Sequence, residues 1–340
     1  MKKILINRNG AFGDMVHVSH LPRLLKDNGW DYVGVITGFK GEKVLAHNPF
    51  VDKIHYFEFG GVGVEQHYYD SRLRNISLEY DRIINLLHTL EVGALALESQ
   101  NVYFQHQKMR DRMGVNRNYY DIATIAAGYP DLCGKYKGEM FFTKEEVEIV
   151  ENDLLREGRL KDNFRVMINL SGSSAHKHFM YAEEITNWIL DNYKDTVVFL
   201  TGDKSVKEFE FGKDNPRIRS IIDKKKFRQA ALMMKYMHCA MGGESGIMCA
   251  ATMWEIPVIQ LMTAANINSH CKYNPKDLSL QSPARCSPCF KGPYNYYGCP
   301  KKGDYPLCVY FDVEKIKEQF KKAYEMRSAT EKVLPEMSVL

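Results

Sequence analysis

The sequence predicts an α/β protein made of two doubly wound parallel sheets facing each other across a cleft, and three observations carry that prediction. The 340 residues exceed one ordinary domain and suit two of roughly 150 each. Short β-forming runs alternate with helical periodicity from Lys2 to Leu87, and the alternation starts afresh at Phe164. Between them an amphipathic helix runs into the polar stretch Gly158–Asn163, which sets expected domains at 1–160 and 161–312, with a helix and tail at 313–340.

The first run opens with KKILINRNGAFGD, a short strand leading into a Gly-bounded loop from which Asp14 starts a helix. Tyr32–Thr37 reads as a second strand, Gly41–His47 as a short helix and Lys53–Phe59 as a third strand. Gly60–Ser77 is polar and aperiodic, the signature of a long functional loop. Tyr80–Leu87 is a fourth strand, followed by helical stretches over Leu90–Gln100 and Asp121–Ala127, with Gly128-Tyr129-Pro130 as a stop. Lys144–Arg159 places Val147, Val150, Leu154 and Leu155 on one helical face.

In the second run, strands are expected at Phe164–Leu170, Thr196–Leu200, Cys239–Gly242 and Pro257–Met262, and helices at Ala182–Asn192, Gln229–Tyr236, Gly246–Met253 and Val313–Met326. Met233, Met234 and Met237 have the spacing of core residues.

Composition narrows the class. With 45% apolar and 26% charged residues, the chain reads as a soluble globular protein. A net charge of +4 favours anionic ligands but falls short of a nucleic-acid-binding tail. Ile4-Leu5-Ile6 is too short for a signal-peptide core, and no apolar stretch reaches membrane-spanning length, so a cytoplasmic location is expected. Four of the eight cysteines cluster near the C-terminus, which points to a reducing compartment and a local role.

Asp14 is the first candidate site residue, at the carboxyl end of a strand where open α/β sheets bind ligands. Gly10 and Gly13 leave a dinucleotide fingerprint incomplete, and no Gly-Lys-Ser/Thr follows, so neither an NAD site nor a P-loop is supported. Asp14 suits an N-cap or a general base, and one carboxylate can serve as both. In the second half, Gly172, Ser173 and Ser174 precede Lys177, so that small residues and hydroxyls admit a phosphate while the lysine offers charge to a leaving diphosphate; a solvated Ser/Gly loop is the alternative. Glu244, Ser245 and Gly246 follow two glycines at a helix start, fit for an anion or a ribose, or for a tight turn alone. Thr201, Gly202 and Asp203 end a strand; Asp203 reads first as a cap of the next helix.

Cys286-Ser-Pro-Cys289 with Cys299 and Cys308 has the spacing of a four-thiolate knuckle, suited to structural zinc or iron, with disulfides or free thiols as the alternative. No Asp-x-Asp pair occurs, so no divalent metal is expected in the chemistry.

The segment GDMVHVSHLP, with Asp14, His17 and Pro22, resembles the N-terminal signature of glycosyltransferase family 9, the ADP-heptose:lipopolysaccharide heptosyltransferases. Lys177-His178-Phe179 is similar to that family's lysine–aromatic loop. Glu244-Ser245-Gly246 through Ala251 is similar to its Asp-Ser-Gly-x-x-His-x-Ala segment, with Glu244 replacing Asp and Cys249 replacing His. The cysteine cluster resembles the iron-binding finger of autotransporter-adhesin heptosyltransferases. The resemblance implies a GT-B fold of two Rossmann-like domains, the acceptor held by the first and the nucleotide by the second, with the C-terminal helix packed back on the first. It implies Asp14 as base, Lys177 at the leaving diphosphate, and donor contacts from Gly13, the 172–174 loop, Thr201–Asp203 and Glu244–Gly246. The implied reaction is inverting transfer of a heptose or related sugar from a nucleotide-diphosphate sugar to a glycan such as lipopolysaccharide core, with peripheral contact at the inner membrane. A protein, capsule or modified nucleic-acid acceptor keeps the same donor chemistry, and a non-catalytic nucleotide-sugar sensor keeps only the binding. The oligomeric state has no signal in the sequence.

Overall fold

The computed structural model describes residues 1–57, 64–87, 117–156, 163–170, 172, 174–289, 301–302 and 305–327. The expected helix at Leu90–Gln100, Ser173 and Cys299 lie outside them. Two compact units divide the chain: residues 1–93 with 117–142, and 94–116 with 143–339.

In the first unit β1 (Lys3–Asn7), α1 (Phe12–Val18), α2 (Leu21–Asp27), β2 (Tyr32–Thr37), α3 (Phe39–Leu45), β3 (Lys53–Tyr56), α4 (Val64–Ser77), β4 (Arg82–Asn85) and α5 (Tyr119–Ala126) follow one another. The parallel strand order is β3-β2-β1-β4. Ile4, Leu5 and Ile6 are completely or almost completely buried, as a central parallel strand covered on both faces requires. Met15, Val16, Leu21, Leu24 and Leu25 close over it from α1 and α2. Asn118 caps α5 by accepting from Tyr120 N–H, 2.9 Å, and Gly128 ends the turn beyond it at φ +90°.

The expected loop Gly60–Ser77 is instead α4 from Val64 onward. After Gly63 the segment has no Gly or Pro, the two residues that most oppose a helix, so the helix forms despite its weak amphipathicity.

The second unit starts earlier than the boundary expected at 158–163. Its α6 (Lys144–Arg156) is tied to α8 (Phe227–Met233) and the turn after it by Arg228, which donates twice to Glu146, 2.7 Å each, and by Tyr236 on Glu151, 2.7 Å. These pairs are invisible to a boundary drawn from polar composition. Between them run β5 (Phe164–Asn169), α7 (Ala182–Asn192), β6 (Thr196–Thr201) and β7 (Ile218–Ser220). β8 (Cys239–Gly243), α9 (Gly246–Met253), β9 (Val258–Met262), α10 (Ile267–Cys271), β10 (Leu280–Gln281) and α11 (Val313–Glu325) follow, with a small hairpin of β11 (Lys301–Lys302) and β12 (Tyr305–Pro306). The order β10-β9-β8-β5-β6-β7 is parallel throughout.

The C-terminal helix contributes to the core of the second unit. Ile316, Phe320 and Ala323, spaced one turn apart, belong to the core of the second unit with Phe164, Ile185 and Ile189. Phe164 meets Phe320 edge-on at 5.9 Å, so the apolar stripe of α11 is filled by its own unit's aromatics. Among the described residues no helix is long and apolar enough to cross a membrane.

In both sheets the first strand lies inside. The chain winds outward to one side and then returns to the other, which separates the loops at the strands' carboxyl ends between β1 and β4 and between β5 and β8.

Candidate active site

At the first of these switch points Asn7 and Arg8 leave β1. Asn7 donates to Asn85 Oδ1 at 3.1 Å, and Arg8 Nη1 donates to the Leu86 carbonyl at 3.0 Å, so both reach across to the end of β4. Arg8 Nη2 stands 3.2 Å from Asp14 Oδ1; the arginine is 1% exposed and the aspartate 23%. Asp14 Oδ2 accepts from Ala11 N–H at 2.6 Å. The expected N-cap is therefore corrected: Ala11 is the cap, Asp14 the third residue of α1, and its carboxylate reaches back to the cap's N–H. Gly10 is required there, since a Cβ on it would lie 2.7 Å from Asp14 Oδ2. Gly13, expected at the donor, is the second residue of α1. His17 is 1% exposed and meets Tyr119 and Tyr120 edge-on at 5.1 Å each.

At the second switch point the turn after β5 carries His176 and Lys177, and the turn after β8 carries Glu244 and Ser245. Their close approach depends on glycine. A Cβ on Gly242 would stand 2.7 Å from the Asn169 carbonyl, and one on Gly243 would overlap the Lys177 carbonyl oxygen. Gly172 likewise leaves no room for a Cβ beside the Lys177 side chain. Asn169 Nδ2 donates to Ser245 Oγ, 3.0 Å, and that hydroxyl accepts from Met248 N–H, 3.4 Å, as the cap of α9, whose first residue is Gly246.

Glu244 is the buried centre, its side chain 5% exposed. Oε1 lies 3.6 Å from His176 Nε2 and 3.7 Å from Lys177 Nζ, and Oε2 accepts from Ala265 N–H at 3.3 Å. Burial alone would raise its pKa, but Lys177, then His176 and His270, hold the carboxyl well below the usual range. The ionised glutamate thus anchors a lysine whose side chain is 21% exposed. Ser174 Oγ lies 3.0 Å from His176 Nδ1.

Thr201, Gly202 and Asp203 each make a bond within the scaffold. The carbonyls of Thr201 and Gly202 accept from Leu170 and Asp223 N–H, and Asp203 caps the following 3-10 turn through Ser205 N–H at 2.8 Å. Cys286 and Cys289 are half-buried and Cys308 is buried.

No protein family and no curated protein matches the sequence. Solved structures do match in three dimensions. A family 9 glycosyl transferase from Veillonella parvula superposes with a TM-score of 0.70 at 14% identity, over 95% of this chain and 98% of that one. The fold is GT-B. The Escherichia coli ADP-heptose lps heptosyltransferase II shares this GT-B fold with a TM-score of 0.63 at 14% identity, over 96% and 100% of the two chains. The iron-containing dodecameric glycosyltransferase TibC of enterotoxigenic E. coli gives 0.62 at 11% identity, over 97% and 77%. Within this GT-B fold, Arg8, Asn169 and His270 are the residues that sequence reasoning passed over. For Arg8 the signal was present, as a charged residue directly ending an apolar strand; Asn169 and His270 depend on strand order.

Proposed function

We propose that this protein is an inverting glycosyltransferase that moves a heptose or related sugar from a nucleotide-diphosphate donor, ADP-heptose first among them, to a glycan acceptor such as lipopolysaccharide core. The observation that carries this reading is the pair of oppositely built switch points. One offers a carboxylate backed by a buried arginine; the other offers a lysine backed by a buried glutamate. The full-length likeness to family 9 glycosyltransferase structures supports it.

In this scheme Asp14 takes the proton of the acceptor hydroxyl as that oxygen attacks the anomeric carbon. The bond to the diphosphate oxygen breaks on the opposite face, and the configuration inverts. The nucleoside diphosphate leaves with its negative charge, met by Lys177 and by the backbone around Gly172, Ser174 and Ser245–Gly246. Ser173 and the residues Thr201–Asp203 complete the proposed donor contacts. No divalent metal takes part in this chemistry.

The four-cysteine set Cys286, Cys289, Cys299 and Cys308 suits structural zinc or a single iron by donor type. Cys286 and Cys289 stand three residues apart, and the chain leading to Cys308 forms a hairpin whose Tyr305 ring centroid lies 6.2 Å from that of His178, beside Lys177. A cytoplasmic location, with its reducing conditions, fits thiolate ligation.

The test is a panel of nucleotide sugars read by thermal shift, followed by transfer with the donor that binds. ADP-linked sugars are expected to raise the melting point, since a ligand of the native state stabilises it, and the product is expected to be inverted at the anomeric carbon. A retained configuration would sink the mechanism.

A further inference from the structure

We propose that Ser287 and Tyr305 are positioning residues for the Lys177–Glu244 pair: the two flanks of the cysteine-bearing segment clamp the two turns that carry it. The proposal rests on the reading of that pair as part of the donor site, and it gives the segment between Cys286 and Cys308 a task beyond its own thiols.

The first clamp works through Glu244. Its Oε2 accepts from Ala265 N–H at 3.3 Å, so the chain just beyond β9 fixes one oxygen of the carboxylate. Ser287, between Cys286 and Cys289, holds that chain with one hydroxyl. Ser287 Oγ donates to the Thr263 carbonyl at 2.7 Å and accepts from Gln281 Nε2 at 2.8 Å. Gln281, in β10 beside β9, also donates from Nε2 to the carbonyls of Met262 and Ala265, 3.2 and 3.1 Å, and accepts at Oε1 from Ile267 N–H, 2.9 Å. The hydroxyl therefore joins a network that locks residues 262–267 as one piece and keeps Ala265 N–H aimed at Glu244.

The second clamp works through the turn of Lys177. The Lys177 carbonyl lies so close to Gly243 that a Cβ there would overlap it, so the turn has no slack towards β8. The next residue, His178, is half-buried, with its ring centroid 6.2 Å from that of Tyr305 and 5.8 Å from that of Phe209. Tyr305 stands in β12, paired with Lys302 of β11. Tyr310 Oη donates to the Lys302 carbonyl at 2.9 Å, which ties the hairpin to the buried stretch of Cys308 and Val309.

Lys177 Nζ and Glu244 Oε1 stand 3.7 Å apart. Their separation is set by turns after two different strands, β5 and β8. A third segment that touches the supports of both is what holds such a pair to the fraction of an ångström that binding requires.

The experiment makes two measurements on the full chain and on Ser287→Ala and Tyr305→Ala: amide hydrogen exchange over residues 174–178 and 243–246, and calorimetric titration with ADP. Faster exchange is expected over 243–246 in Ser287→Ala and over 174–178 in Tyr305→Ala. Each variant is expected to bind ADP about fivefold more weakly, the value of one ordinary hydrogen bond or ring contact. In a Lys177→Met background the same substitutions are expected to change ADP affinity by less than about twofold, because the group they position is gone. Ser287→Thr and Tyr305→Phe keep the hydroxyl and the ring, and should bind as the unmodified chain does.

Unchanged exchange in both segments overturns the clamp. Faster exchange with unchanged ADP affinity, Lys177→Met being impaired, overturns the positioning role and leaves the donor reading standing. Equal losses with and without Lys177 also overturn it, since the contacts then serve packing alone. Should Ser287→Ala not fold, Tyr305→Ala on the half-buried hairpin decides. If ADP fails to bind the unmodified chain, the donor reading fails, and the exchange measurement still decides whether the clamp exists.

Discussion

At the β1–β4 switch point the ion pair buries its cation, with Arg8 at 1% and Asp14 at 23% exposure. At the β5–β8 switch point the pair buries its anion, with Glu244 at 5% and Lys177 at 21%. The strand order around each is the same, so topology explains where a charged pair sits but not what it offers. The buried partner decides that. A hidden arginine holds out a carboxylate, fit to accept a proton; a hidden glutamate holds out an ammonium, fit to meet a leaving diphosphate.

The sharpest way to break this contrast is to remove one presented charge at a time. Asp14→Asn is expected to lower turnover by about 10²–10⁴-fold, the usual value of a general base. It also leaves Arg8 buried without its counter-charge, so a stability loss of about 1–3 kcal/mol is expected alongside. Denaturant unfolding must be measured with the kinetics, and the ADP affinity should stay unchanged. Turnover near the unmodified rate would remove Asp14 from the chemistry.

Lys177→Met is expected to cost less, about 10²–10³-fold in kcat, and to weaken donor binding as well. Its effect on Glu244 has a definite sign. The folded-state pKa of Glu244 lies below its ordinary value, so the ionised carboxylate stabilises the fold above that ordinary value, near 4.5, and this contribution is lost as pH falls through the lowered one. Without Lys177 part of that stabilisation should be missing at pH 7, and unfolding curves at pH 7 and pH 4 should lie closer together than in the unmodified chain. An unaltered pH dependence would show that His176 and Ala265 N–H hold Glu244 by themselves.

A subtler pair of variants acts on the glycines that let each switch point close. Gly243→Ala places a methyl against the Lys177 backbone, which cannot swing away, and is expected to cost about 1–3 kcal/mol of stability together with donor affinity. Gly10→Ala meets Asp14 Cβ at 2.8 Å as well as its carboxylate oxygen at 2.7 Å, so the first turn of α1 has to shift. It should lower turnover and also cost about 1–3 kcal/mol of stability, while leaving ADP binding nearly intact. An ADP affinity lost equally in the two variants would mean that the two switch points do not have separate roles.

How legible these features were in sequence depended on how local they are. β2, α7 and α9 stand at their expected residues because apolar runs and caps such as Ser245 lie within one short segment. Lys177 and Glu244 were both singled out, but their pairing is a consequence of β5 and β8 being neighbours, a long-range fact. Asp14 stands out in the sequence but its place in the first turn does not, because a cap and a third helical residue differ only by where that turn closes. The α4 helix was missed since a polar surface helix has no apolar stripe to announce it. The apolar stripe of α11 is legible in the sequence as a packing face, but the stripe alone does not name the aromatics of the second unit that it meets.

The last comparison concerns neutral imidazoles, one from each unit. His20 lies against Tyr120 with Nε2 2.9 Å from Thr124 Oγ1, and burial lowers its pKa to about 3. His238 stacks on Phe164, accepts at Nδ1 from Arg165 N–H at 3.0 Å, and is lowered to about 3 by burial and then by the charges of Arg165 and Arg327. In each case the unfolded chain binds the proton near pH 6.5 and the folded one does not, so stability is fully present above pH 6.5 and is lost as pH falls toward 3. At pH 5 the loss should be about 2 kcal/mol per histidine. His20→Gln retains a polar side chain but does not titrate. Hydrogen-exchange protection of Ile4–Ile6 should then fall less between pH 7 and pH 5 than in the unmodified chain, while that of Val166–Ile168 should fall as before. If both strands respond alike, the units do not open separately, and acid stability belongs to the chain as a whole rather than to either sheet.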